Sequence, residues 1–297
     1  MRVITSAKDI PKCALALGNF DGLHLAHMKL ADDCLKYARA HNLSGGMLIF
    51  AQHSKTVTKN RDIKLLTTLD EKLEILESTN IDFAYIQEFD EDFMRLSCEE
   101  FLAFLKDELN CSAVFAGFDY TFGYKAKGDA KSLKELADKN GLYAQILGKT
   151  EISGKTVSST MIRELIQNGD VKTAKQYLQR CYEVRGRVVE GKQNGRRLGF
   201  PTANIKYDAH KLLPKDGVYF GYAKIRDSKF KCVVNVGTNP TFGAKIRTVE
   251  AYIEGFSGSL YGEDIKILFE DKIRDEIRFS SPDELKEQIK RDIKNLK

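Results

Sequence analysis

Short apolar runs alternate with helix-patterned stretches through residues 1–180, and the alternation stops near residue 181. The runs Cys13–Gly18, Met47–Phe50, Phe83–Ile86, Ala113–Gly117 and Tyr143–Leu147 are too short for helices and are bounded by turn residues, so they read as buried strands. Between them, Met28, Ala31, Leu35 and Ala38 recur at helical spacing, and Thr68 with Glu71 and Ser97 with Glu100 form capping boxes, each opening a helical run. Lys131–Lys139 is a further helical run, and Asn140-Gly141 offers its stop signal. Strand and helix in alternation predict an α/β domain, a doubly wound parallel sheet covered on both faces.

Beyond Arg180 the pattern is different. Tyr182–Val189, Gly217–Ile225, Phe230–Val236, Val249–Ile253 and Asp264–Phe269 read as strands joined by loops of Gly, Asn, Asp and Pro, with no convincing helix between them. That order predicts an antiparallel β-barrel, with a sandwich as the alternative. The chain then closes on a helix. Ser281-Pro282-Asp283-Glu284 starts it, and Leu285, Ile289, Ile293 and Leu296 give it one apolar stripe. The expected domains are residues 1–180 and 181–297.

Composition narrows the function classes. With 42% hydrophobic and 30% charged residues, both halves can bury a core, which excludes fibrous and wholly disordered chains. The net charge of +5 suits an anionic, phosphorylated ligand without calling for nucleic acid. Six cysteines at 13, 34, 98, 111, 181 and 232 contain no CxxC pair, so neither a zinc site nor a disulfide scaffold is indicated. The start, MRVITSAKDIPK, has no signal-like apolar core, and no apolar run approaches the roughly 18 residues of a membrane span. A cytoplasmic protein that binds neither nucleic acid nor membrane is expected.

Two constellations carry chemistry. In the first, a strand ending at Gly18 leads through Asn19-Phe20-Asp21-Gly22-Leu23 to His24 and His27, which share one face of the first helical turn. Backbone N–H groups and the positive helix end make that turn a phosphate site at the switch-point crevice of an open sheet. Gly18 and Gly22 allow close backbone approach, and the imidazoles can donate hydrogen bonds to the charge that builds at an α-phosphorus. Further on, Ser158-Ser159-Thr160 can cap a helix and present hydroxyls, with Arg163 adding a fixed positive charge for β/γ-phosphates. In the second, Gly191, Gly195 and Gly199 recur every four residues ahead of Pro201-Thr202-Ala203-Asn204. Glycines at that spacing permit a flap over phosphate, although without the Lys-Ser/Thr of a Walker loop. Thr202 and Asn204 offer hard oxygens suited to Mg²⁺ shared with phosphate.

The first constellation resembles the HxGH signature of nucleotidyltransferases, in the version found in the FAD synthetase domain of bifunctional riboflavin kinase/FAD synthetases. Gly117-Phe118-Asp119-Tyr120-Thr121-Phe122-Gly123 is similar to that family's GFDxxFG segment, and Val157–Arg163 to its SSTxIR motif. LGFPTANI resembles the riboflavin kinase domain of the same family, as do Asp216–Tyr219, Val234–Phe242, Val249-Glu250 and Ile273-Arg274 with Arg278-Phe279. The resemblance implies a nucleotidyltransferase-like first domain, phosphorylation of riboflavin to FMN by ATP with Mg²⁺, and adenylylation of FMN to FAD. It implies Glu250 as the general base and Phe50, Asp119 and Arg274 as flavin contacts, with Gly18, Phe20, Asp21, Gly22, Ser158, Ser159, Thr160, Gly191, Gly195, Gly199, Pro201, Thr202 and Asn204 on nucleotide. Three positions depart from the pattern. Ala26 replaces a glycine between the histidines, Phe50-Ala51-Gln52-His53-Ser54 lacks the family's two prolines, and Tyr252 stands where His is common. Lowered rather than abolished adenylylation is expected. The rivals are a riboflavin kinase with a degenerate first half, and a non-catalytic flavin- or RNA-binding regulator.

Overall fold

The computed structural model describes residues 1–51, 64–191, 199–241, 244–277 and 279–294. The chain divides into two compact units, Met1–Ser159 and Thr160–Lys297.

The first unit holds β1 (Arg2–Ile4), β2 (Cys13–Leu17), α1 (Leu25–Ala40), β3 (Ser44–Phe50), α2 (Leu69–Glu77), β4 (Phe83–Gln87), α3 (Glu91–Arg95), α4 (Cys98–Ala103) and β5 (Cys111–Gly117). A small hairpin of β6 (Thr121–Phe122) and β7 (Gly128–Asp129), then α5 (Ala130–Lys139), β8 (Tyr143–Leu147) and a second hairpin of β9 (Glu151–Ile152) and β10 (Lys155–Thr156) complete it. Six strands form a parallel sheet in the order β1-β4-β3-β2-β5-β8.

The central strand shows why this sequence folds so. Every residue of β2 is buried, with Cys13, Leu15 and Leu17 entering one core and Ala14 and Ala16 the other. A strand covered on both faces reads as a continuous apolar run, which is the signal its sequence carries. Helices α1 and α2 pack the alanine face, whereas α4 and α5 pack the leucine face. The change of face falls between β2 and β5, so a crevice opens where those two strands end.

Local signals behave as expected. Both capping boxes close: the Thr68 hydroxyl accepts from the Glu71 N–H at 3.3 Å while the Glu71 carboxylate accepts from the Thr68 N–H at 2.9 Å, and Ser97 with Glu100 does likewise. Asn140 caps α5 and Gly141 follows at φ +71°. The strand β1 carried no readable signal, being three residues long at the sheet edge with Val3 exposed.

Helix α6 (Ser159–Asn168) starts at the division, and α7 (Val171–Leu178) belongs to the second unit, where it packs on β11 and β16. The barrel strands are β11 (Tyr182–Val189), β12 (Thr202–Tyr207), β13 (Gly217–Ile225), β14 (Ser228–Thr241), β15 (Ala244–Ile253) and β16 (Asp264–Arg274). They close antiparallel in the order β11-β12-β15-β14-β13-β16, and β16 bonds to both β11 and β13. The sandwich alternative is therefore excluded. Alternate residues, among them Val184, Ile205, Tyr219, Val234, Ala251 and Phe269, fill the interior.

Three strands run longer than their apolar cores indicated. β12 was not read as a strand at all: of Thr-Ala-Asn-Ile-Lys-Tyr, only Ile205 is fully buried. The closing helix α8 (Pro282–Lys294) begins as expected, with the Ser281 hydroxyl accepting from the Glu284 N–H at 3.2 Å. The Glu284 carboxylate, however, accepts from Ser280 rather than Ser281. Ile293 packs toward Val218 and Val233, while Leu296 lies outside the described residues.

Candidate functional sites

The first site is built where β2 ends. Gly18 sits against the Phe20 ring, which an added Cβ would meet at 3.1 Å. The chain then turns through left-handed conformations at Phe20 (φ 48°), Gly22 (φ 88°) and Leu23 (φ 38°). L residues rarely adopt these values unless the surroundings impose them. Phe20 and Leu23 are fully buried, and Asp21, at 1% exposure, turns its carboxylate to the N–H groups of Leu66 (3.0 Å) and Thr67 (3.1 Å). The Asp21 side chain thus fixes the loop from beneath.

His24 is the residue that caps α1, at 4% exposure, and His27 follows within the first turn. Their rings stack 3.6 Å apart at 15°, and the His27 ring meets Phe20 edge-on at 5.2 Å. The expected pair is therefore brought together, as two parallel imidazoles at a helix N-terminus. Ser159 opens α6, and its hydroxyl donates to the Asp21 carbonyl at 2.8 Å, joining the start of the second motif to the loop of the first. Ser158 precedes it, half-buried, Thr160 is exposed, and Arg163 lies one helical turn beyond Ser159. Asp119 is exposed just past the end of β5.

Beside Gly18 and Asn19 lies an aromatic cavity of about 510 Å³. Phe50, Phe89, Phe93, Phe101, Tyr120 and Phe122 give it walls, with Phe50 edge-on to Phe89 at 5.0 Å and to Phe93 at 5.7 Å. Burial pushes the Tyr120 phenol up, keeping it neutral. Of this set the sequence reading singled out only Phe50 as a flavin contact, with Tyr120 and Phe122 falling inside the GFDxxFG-like segment. The i,i+4 spacing of Phe89 and Phe93 was the available signal, but aromatic residues at that spacing more often face a core. Gln52, His53 and Ser54 lie outside the described residues.

The second site lies on the outer face of the barrel. Thr202 and Asn204 share one face of β12, and the pairing register sets Asn204 opposite Glu250 of β15, which in turn faces Asn235 of β14. Glu250 is therefore flanked on both sides by carboxamides, on the face opposite the interior residues Val249 and Ala251. Asn235 is a residue the motif reading did not single out. Gly191 runs so close to Asn204 that a Cβ would fall 2.2 Å from its amide nitrogen. A cavity of about 420 Å³ adjoins, lined by Gly191, Pro201, Thr202, Asn204, Phe256 and Tyr261 among others. Gly199 has φ +88°, whereas Gly195 lies outside the described residues.

Arg274, expected as a flavin contact, also forms an ion pair. Its guanidinium makes a fork with Asp292 of α8, at 3.2 Å from Nε and 2.7 Å from Nη2, and Asp292 is 2% exposed. The charge is committed to holding α8 on β16. Nearby, Arg247 pairs with Asp216 at 2.5 Å, which also accepts from the Thr238 hydroxyl at 3.0 Å. Among the described residues no group of three or more His, Cys, Asp or Glu side chains could hold a metal. Nor is any described helix long and apolar enough to cross a membrane.

Comparison with known proteins adds independent findings. The FAD synthetase family model matches residues 6–161 and the riboflavin kinase family model residues 178–297. The bifunctional riboflavin kinase/FMN adenylyltransferase of Bacillus subtilis is 34% identical over 95% of this chain and 90% of its own length. Those of Haemophilus influenzae (32%; 96% and 93%) and Escherichia coli K12 (31%; 94% and 90%) are similar. A crystal structure described as a macrolide-efflux protein from Streptococcus pneumoniae matches with a TM-score of 0.89 and 32% identity, over 98% of this chain and 97% of that one. Two family models in tandem, and relatives aligned along nearly the whole length, leave one assignment: this chain belongs to the bifunctional riboflavin kinase/FMN adenylyltransferase family, whose members make flavin cofactors from riboflavin and ATP.

Proposed function

We propose that the two activities are carried by two separate sites, phosphoryl transfer on the outer face of the barrel and adenylyl transfer at the stacked histidines. The functional junction is taken between α7 and β11, with the protein working in the cytoplasm. The observation that carries the reading is the row Asn204–Glu250–Asn235, which sets one carboxylate between two neutral hydrogen-bonding groups, with Asn204 also bordering the adjoining cavity.

In the kinase site, Glu250 accepts the proton of the ribityl 5′-hydroxyl as that oxygen attacks the γ-phosphorus of ATP. The bond from the γ-phosphorus to the β,γ-bridging oxygen breaks, leaving FMN and ADP. Thr202 and Asn204 fit a magnesium ion in their chemistry: both offer neutral hard oxygens on one face of β12, and Gly191 lets the chain pass close against the Asn204 carboxamide. Held by these two side chains, the ion would supply positive charge to offset that of the transferring phosphoryl group. Pro201, Gly191 and Gly199 border the triphosphate.

In the adenylyltransferase site, a phosphate oxygen of FMN is the nucleophile, so no base is needed to generate it. It attacks the α-phosphorus of a second ATP, the bond to the α,β-bridging oxygen breaks, and pyrophosphate leaves. His24 and His27 hydrogen-bond the charge developing there, and Ser158 and Ser159 line the nucleotide; for Thr160 and Arg163 the support is the resemblance of their motif alone. The backbone of Gly18, Phe20, Asp21 and Gly22 lies alongside. The aromatic cavity suits the flat isoalloxazine ring, with Phe50 in its wall and Asp119 at its approach. For Arg274 the ion pair with Asp292 supports an indirect part, through the position of α8.

The test is Glu250→Gln, assayed separately with riboflavin and with supplied FMN. General-base loss costs about 10²- to 10⁴-fold, so FMN formation should fall by that order while FAD formation from FMN stays within about twofold. Unchanged FMN formation removes Glu250 as the base.

A further inference from the structure

We propose that Lys72 is a positioning residue for adenylyl transfer, acting through the loop between β2 and α1. The proposal rests on the reading that His24 and His27 form the adenylyl-transfer site.

That loop has three residues in left-handed conformations, two of them not glycine. Such a segment does not keep its shape unaided, so its anchors decide where the histidines stand. Among the described residues, several anchors of this loop come from one short stretch, Leu66 to Lys72, at the start of α2. Leu66 and Thr67 donate their N–H groups to the Asp21 carboxylate, and the Thr67 hydroxyl accepts from the Gly22 N–H at 2.9 Å. Lys72 then donates to the Asn19 carbonyl at 3.1 Å. The closed capping box of Thr68 and Glu71 fixes the first turn of α2, and so fixes the base of the lysine side chain.

Lys72 is 5% exposed. Burying a lysine is unfavourable unless its ammonium is well held, and here part of that hold is on the loop backbone itself. Asn19 directly precedes the first left-handed residue, Phe20. Because the peptide is planar, a carbonyl drawn toward Lys72 turns the Phe20 N–H to the opposite side. The lysine thereby sets the direction of a backbone donor as well as a bend, and backbone donors at a strand-to-helix turn are what phosphate oxygens meet. Nothing in the motif reading pointed to it, since it lies 53 residues from the carbonyl it holds.

The experiment compares Lys72→Met, Lys72→Arg, Thr67→Val and His24→Ala in the full chain, measuring FAD formation from FMN, FMN formation from riboflavin, and the melting temperature. Loss of positioning should lower kcat for FAD formation by about tenfold or more in Lys72→Met, with KM for FMN changed less than about threefold and FMN formation unchanged. Lys72→Arg, which keeps a donor, should return kcat to within about threefold of the parent. If Lys72→Met stays within about twofold while His24→Ala loses FAD formation, the proposal is overturned and the site reading stands. Full FAD formation by His24→Ala removes the site reading and the proposal with it. A loss in Lys72→Met that tracks a lowered melting temperature and is not restored by arginine assigns the residue to folding and also overturns the proposal. If Lys72→Met does not fold, Thr67→Val decides by the same criterion: a lowered kcat at constant KM supports the loop clamp, and an unchanged kcat ends it.

Discussion

The two sites obtain their precision by opposite means. At the end of β2, the catalytic candidates start a helix that follows a loop whose backbone is bent into unfavourable conformations and tied down by buried polar groups from a segment some 45 residues away. On the barrel, Thr202, Asn204, Glu250 and Asn235 lie on three adjacent strands, and the hydrogen-bond register alone sets them side by side. A loop site is therefore sensitive to its anchors, whereas a register site is sensitive to whatever keeps the strands and their neighbours in place. Each way of disturbing them should separate one activity from the other.

The largest effect is expected at the Arg274–Asp292 pair. Removing one partner of a buried ion pair leaves an uncompensated charge, costing about 3 to 5 kcal/mol. Asp292→Ala should lower the unfolding midpoint of the second unit by calorimetry and take FMN formation with it, leaving FAD formation from supplied FMN. An unchanged midpoint would show that α8 is not needed to hold the barrel face. Next come the two glycines. Gly191→Ala drives a methyl into the Asn204 carboxamide, and a displacement of that size in a reacting constellation costs about 100-fold. Gly22→Ala places a Cβ on a residue at φ +88°, an unfavourable change of about 1 to 2 kcal/mol. The first should lower kcat for FMN formation, the second that for FAD formation, and loss of both activities in either variant would contradict the separation of the sites.

How far these features were legible depends on what each residue's neighbours are. β2 could be read because burial on both faces writes an unbroken apolar run. β12 could not, because one of its faces is polar in the service of the proposed site and the other shows only Ile205 as fully buried. The motifs Gly18–His27 and Pro201–Asn204 announced both sites, since their residue types and spacing are local. The aromatic cavity stayed hidden: its walls come from β3, the Phe89–Phe101 stretch and the β6 hairpin, which only the folded sheet gathers. The partners that hold Asp21 and Arg274 stayed hidden for the same reason, as Leu66, Thr67 and Asp292 are 45, 46 and 18 positions away.

The smallest expected effect is a pH dependence confined to the second unit. Glu270 accepts hydrogen bonds from Lys175 of α7 and, at 2.9 Å, from the thiol of Cys181. Burial pushes its carboxyl up, but those two bonds together with the charges of Lys175 and Lys229 leave the group below the usual carboxylate value. A carboxyl lowered in the folded state adds stability above its unfolded value of 4.5, and that stability is lost as pH falls through the folded value. Glu270→Gln should flatten the acid limb of the second unit's unfolding profile by under about 1 kcal/mol; an unchanged limb would mean the cluster does not couple α7 to the barrel. Burial, followed by the bond to Glu270, holds the Cys181 thiol at about 11, so it should resist alkylation at neutral pH.

Because β16 is bonded on both flanks, it is the stave that seals the ring. Thr202, Asn204 and Glu250 all leave the ribosome before it does, yet until Asp264–Arg274 is made the sheet that carries them stays open. A polypeptide stopped after Glu263 would contain each proposed kinase group and still be inert toward riboflavin, while its earlier-made neighbour could already be joining AMP to FMN.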